Sequence, residues 1–148
     1  MKTVFQQGRQ FKSKKEIIVV LHGLGKSSSD LKYFMQEAEK KDDSVLAIDL
    51  HGFGETAVLN NNYKSETSIP YEYSRDDVFE ILKQIPSDIN IKLIGHSYGG
   101  GIALSILKKM AEENTSLNVT TVVLLSTFVK NLDKYYQDAA LSGQNIQA

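Results

Sequence analysis

The stretch from Ile89 to Met110 constrains this chain more than any other. An apolar, β-branched run ends at Ile94, a turn carries Gly95, Ser97 and Gly99, and Ile102, Ala103, Ile106, Leu107 and Met110 follow at once. The first part reads as a strand. The last, with apolar residues three and four apart, reads as a helix. A turn this abrupt brings the positions two before and two after the serine against neighbouring backbone, and both are glycine. The serine must then take a strained backbone conformation that only its surroundings can hold. Its hydroxyl is expected clear of the strand end, at the positive end of the following helix.

The flanking chain repeats the alternation. Glu16 to Leu21 is a continuous apolar run, the pattern of a strand covered on both faces, and Ser44 to Leu50 and Val119 to Leu125 read as further buried strands. Cap-forming residues from Ser27 to Asp30 precede Leu31, Phe34, Met35 and Ala38, which predict a helix to about Lys41. A further helix is expected with Ser74 as its cap and Asp77 three residues on. Val78, Ile81, Leu82 and Ile85 form its stripe, and Pro86 stops it. A weak strand around Thr3 to Gln6, a polar loop from Asn60 to Pro70 and a short helical pattern at Leu132, Tyr135, Tyr136 and Ala139 complete the reading. Strands alternating with helices predict a single α/β domain over residues 1–148, with a mainly parallel sheet flanked by helices. Ligands of such sheets bind at the carboxyl ends of the strands, where the loops His22–Gly25, His51–Gly54 and Gly95–Gly101 all fall.

Composition excludes several function classes. A formal net charge of −1 gives no electrostatic reason to expect nucleic acid or an anionic membrane as partner. With no cysteine, disulfides and thiolate chemistry are out of reach. The three histidines form no His-x-x-x-His pair, so no metal site is expected. Gly99-Gly100-Gly101 opens a helix but fits neither phosphate-loop pattern, so no cofactor is expected either. Met1 to Lys15 is polar and basic without an apolar signal-peptide core, and no window approaches a membrane span. The expected address is cytoplasmic. The triplets Asn114-Thr115-Ser116 and Asn118-Val119-Thr120 are then ordinary polar turns.

Val20-Leu21-His22-Gly23-Leu24-Gly25, Ala47-Ile48-Asp49-Leu50-His51-Gly52-Phe53-Gly54 and Leu93-Ile94-Gly95-His96-Ser97-Tyr98-Gly99-Gly100 occur in the order that resembles the first half of an α/β-hydrolase. The resemblance covers about Glu16 to Thr127. It implies that Gly95–Gly99 is a nucleophile elbow with Ser97 as the nucleophile, and that the backbone N–H groups of Leu24 and Tyr98 form an oxyanion hole. His22, Gly23, Gly25, Asp49, His51, Gly52, Gly95, His96 and Gly99 would support the loops around them. A serine rather than an aspartate at the elbow points away from epoxide hydrolases and dehalogenases. It points to an ester, thioester, lactone or amide of a small acyl substrate.

The family places its acid and its histidine after the elbow, and here no histidine follows His96. The chain therefore reads as a truncated hydrolase, without the later strands that usually carry the acid and the histidine. His22 is expected to hold the oxyanion loop by hydrogen bonds, and His96, beside Ser97 on a tight turn, to be a packing residue. His51 lies at the catalytic edge and is the nearest to a substitute base. Asp49 is expected to brace the turn after its strand. Asp133, where some hydrolases keep their acid, reads as a solvated helix residue. The alternative to an enzyme is an inactive hydrolase remnant or small-molecule binding module. In either case the strand at 119–125 is an apolar edge, for which a second copy or a complementing chain is the expected cover.

Overall fold

A computed structural model describes residues 5–7, 15–59 and 70–127. Strand β1 spans Phe5–Gln7 and β2 spans Glu16–Leu21; a 3-10 turn over Ser28–Leu31 leads into α1, Lys32–Lys40. Strand β3 is Val45–Ile48, followed by α2, Gly54–Leu59, and α3, Tyr71–Leu82. Strand β4, Asn90–His96, turns directly into α4, Tyr98–Glu113, and β5 is Val119–Leu125. The sheet order is β1-β3-β2-β4-β5. Strands β2 to β5 run parallel, and the short β1 pairs antiparallel with β3, Phe5 opposite Ile48.

Strand residues alternate between the two faces, as the period of two requires. Ile17, Val19 and Leu21 of β2 join Ile91 and Leu93 of β4 against Phe79, Leu82, Ile102 and Ile106 of α3 and α4, all buried. Ile18 and Val20 face the other way with Val45 and meet Leu31, Phe34, Met35 and Ala38 from the α1 side. Burying each such large side chain contributes about 2 kcal/mol, so the larger cluster is the main stabilising mass of the fold.

Three expectations are corrected. The helix over 71–82 begins three residues before Ser74, with Pro70 in extended conformation as its cap. A proline presets that entry geometry, which frees Ser74 to be buried within the helix while Asp77 reaches another loop. Phe79 joins the buried stripe, and the helix ends at Leu82, four residues before Pro86. Strand β5 is not covered on both faces: Val123 is 39% and Leu125 49% exposed. It pairs with β4 alone among the described residues, and the α1 packing reaches only as far as Ile94 of β4. Helix α2, within the glycine-rich loop after β3, has no apolar periodicity of its own and was not foreseen. The loop at 60–69, the residues 1–4 and the helical pattern from Leu132 to Ala139 lie outside the described residues. Among those described, no helix is long and apolar enough to cross a membrane.

Candidate active site

Ser97 stands between β4 and α4 with φ 49° and ψ −111°, a conformation few residues other than glycine adopt. Backbone bonds hold it there. Its N–H donates to the Leu125 carbonyl at 2.8 Å, and its carbonyl accepts the N–H groups of Gly100 at 3.0 Å and Gly101 at 3.2 Å. The side chain is half-buried rather than sunk in the core. The flanking glycines are required by close approach. A Cβ on Gly95 would lie 2.5 Å from Gly100 Cα, and one on Gly99 would overlap the carbonyl oxygens of Leu21 and His22.

That second contact brings the loop after β2 against the serine turn. Gly23 lies on the same seam, where a Cβ would come within 2.9 Å of His96 Nδ1. His96 is therefore no interior packing residue: it is exposed, and its imidazole lies along the loop. Leu24 follows at once, partly buried against the main core, and Gly25 turns the loop with φ 69°.

Two side chains tie this loop to the one after β3. His22 is buried; its Nε2 accepts the Leu50 N–H at 3.0 Å, which leaves the ring proton on Nδ1, where it is donated to the Gly23 carbonyl at 2.8 Å. Burial pushes its pKa below the ordinary histidine value, against the opposing pull of the Gly23 carbonyl, Asp49 and Asp30. Asp49 returns the tie: Oδ1 accepts the Ser28 N–H at 2.6 Å and Oδ2 the Glu55 N–H at 2.9 Å. The Thr56 hydroxyl donates to the Asp49 carbonyl at 2.8 Å, anchoring α2. Both ends of the segment 22–28 are thus fastened to residues 49 and 50. Gly54, with φ 54°, passes so close to Asp49 that any Cβ would collide with the carboxylate, and Gly52 turns the same loop with φ 81°.

Sequence reasoning missed Phe53 and Asp77. The Phe53 ring meets His22 edge-on at 5.6 Å between centroids and Tyr98 at 6.1 Å, so it wedges the two loops against the start of α4. An aromatic between two glycines was its only signal. The buried His51 pairs through Nδ1 with Asp77 Oδ2 at 2.9 Å, beneath the Tyr73 ring. Nothing in the sequence links residues 26 positions apart on a loop and a helix. Burial pushes the Asp77 pKa up, opposed by His51. The Tyr98 hydroxyl is likewise pushed up by burial, opposed by the neighbouring Ser74 hydroxyl. Asp133 lies outside the described residues. Among those described, no group of three or more acidic or histidine side chains could hold a metal ion.

A parallel sheet flanked by helices, with a left-handed serine between β4 and α4 and two glycine loops beside it, defines the α/β-hydrolase fold. The chain belongs to the Hydrolase_4 family, described as serine aminopeptidase, S33, whose model matches residues 12–146. Similar solved structures include a lipase-esterase related protein from Clostridium acetobutylicum at 24% identity and TM-score 0.64, covering 96% of this chain and 54% of that one. The esterase EaEST from Exiguobacterium antarcticum matches at 20% identity and TM-score 0.63, covering 84% and 41%. The type II thioesterase BorB of the borrelidin cluster matches at 15% identity and TM-score 0.61, covering 83% and 48%. The chain thus spans about half, or less, of the length of these proteins. No curated protein sequence matches it.

Proposed function

We propose that this chain carries the nucleophile half of a serine hydrolase acting on an ester, thioester, lactone or amide. The observation that supports it most is the positive-φ Ser97 on a strand–helix turn, with the loop after β2 lying against it. In this reading Ser97 Oγ attacks the substrate carbonyl carbon, and the oxyanion that forms takes the N–H groups of Tyr98 and Leu24. The alcohol, thiol or amine leaves with a proton, and water resolves the acyl-enzyme. The titles of several structural neighbours name esterases and a thioesterase, which favours an oxygen or sulfur ester.

In this reading neither His22 nor His51 supplies the base. His22 is not available, since both ring nitrogens are engaged by Gly23 and Leu50. His51 is buried with Nδ1 on Asp77 and serves to hold its loop. A cytoplasmic setting and a small acyl substrate complete the proposal, together with an added strand along the exposed β5 from a second copy or a complementing chain. Light scattering should then report a mass above the 16.5 kDa of one copy; a monomer at every concentration speaks against the added strand.

The test of the catalytic reading is hydrolysis of short-chain acyl esters by wild type and Ser97→Ala. Turnover by the wild type alone supports it, and equal rates speak for a binding module instead.

A further inference from the structure

We propose that His22 is a proton-operated latch on the loop 22–28, closed while its imidazole is neutral and opened when a second proton enters at Nε2. His22 is 1% exposed, and its ring has a single use for each nitrogen. Nε2 must stay bare to accept the Leu50 N–H at 3.0 Å, while Nδ1–H faces the Gly23 carbonyl at 2.8 Å. A proton on Nε2 would put two N–H donors face to face at that separation, and one loop must move. Leu50 adjoins Asp49, whose carboxylate holds the other end of the same loop through Ser28 N–H. Release at residue 22 therefore removes one of the two side-chain ties on the segment that carries Leu24 and leaves the one at Ser28.

The groups around the ring set how readily this happens. Asp49 at the end of β3 and Asp30 in the 3-10 turn both favour the imidazolium, while burial against the Phe53 ring opposes it and prevails. On the β4 side the titratable neighbour is His96, which lies against Gly23. Further along the second loop His51 is paired with Asp77 on α3. From the start of α4 the facing groups are backbone, Gly99 against the His22 carbonyl. The latch is thus shut at neutral pH and opens on acidification. Its effect on acyl transfer rests on the reading of Leu24 as an oxyanion donor, but the latch itself does not.

The test follows the imidazole nitrogens and the Leu50 amide of the full-length, 15N-labelled chain by NMR from about pH 7.5 to about pH 5. The expected result is a neutral Nδ1–H tautomer at the start. Protonation at Nε2 should then coincide with a fall of at least about tenfold in the Leu50 exchange protection factor. In His22→Gln the side-chain oxygen can accept the same N–H without titrating, so Leu50 protection should be flat with pH. The latch is overturned if Leu50 loses protection while His22 is still neutral, or if His22 protonates with Leu50 unmoved. It is equally overturned if neither changes before the protein unfolds, or if His22→Gln shows the same acid loss. Should that variant fail to fold, the wild-type titration still decides. A chain with an inert Ser97 would leave these readouts unchanged, so the latch and the hydrolase reading fail separately.

Discussion

The Asp49 carboxylate and the Ser28 backbone N–H meet at 2.6 Å across 21 positions of sequence, joining the loop after β3 to the loop after β2. The other carboxylate oxygen holds the Glu55 N–H, so one side chain satisfies donors at the start of two helical segments. Asp49→Ala would leave both N–H groups without their acceptor in a site that is 2% exposed at Asp49. The expected loss is about 3 kcal/mol, read as a lower urea midpoint at unchanged slope. Asp49→Asn keeps one acceptor oxygen and turns an NH2 toward an N–H, so its loss should fall between that of Ala and wild type.

Gly54 and Gly25 both have positive φ, 54° and 69°, but only Gly54 lies against the Asp49 carboxylate. A Cβ on Gly25 would meet nothing within 4 Å. Gly25→Ala should cost about 1 kcal/mol, the backbone strain alone. Gly54→Ala should cost at least twice as much, about 2–4 kcal/mol, because the carboxylate must also leave its two N–H partners. Equal midpoints for the two variants in denaturant titrations would refute the assigned role of Gly54.

Ser97 itself stores strain. Its backbone lies where glycine is at ease, so Ser97→Gly should raise stability by about 1 kcal/mol while abolishing any acyl transfer. Ser97→Ala should be close to neutral in stability, since it keeps the Cβ. Thermal melts of the three proteins check the order.

The lowered pKa of His22 carries a stability consequence with a definite sign. The unfolded chain takes up the proton first as pH falls, so the contribution is fully present above about pH 6.5 and is lost as pH falls through the lower folded value. Wild type should therefore lose urea resistance on acidification below about pH 6.5 more steeply than His22→Gln. Parallel curves for the two would contradict the assignment.

How much was legible depends on the range over which each feature is decided. Strand β2 was read to its ends, because Ile17 to Leu21 is covered on both faces and the apolar run is the signal. The glycines around Ser97 carry their own spacing, so the turn at 95–99 could be read locally. Helix α3 was misplaced at its start: Ser74 and Asp77 form a local cap pattern, but burial against Tyr98 and the pairing with His51 outweigh it. The exposure of β5 was hidden for a related reason. An apolar run reports what could be buried, and which elements arrive to bury Val123 and Leu125 is decided elsewhere in the chain. The ties from His22 to Leu50 and from Asp49 to Ser28 span more than 20 residues and leave no periodicity to find.

The proposed hydrolase chemistry requires the Ser97 hydroxyl to be an accessible nucleophile facing backbone donors. The most direct measurement is reaction of the folded chain with a fluorophosphonate probe, followed by intact mass and peptide mapping, beside Ser97→Ala. One adduct per chain, mapped to Ser97 and absent from the variant, is the expected result. No adduct on the folded wild type, or an adduct that persists in Ser97→Ala, would contradict it.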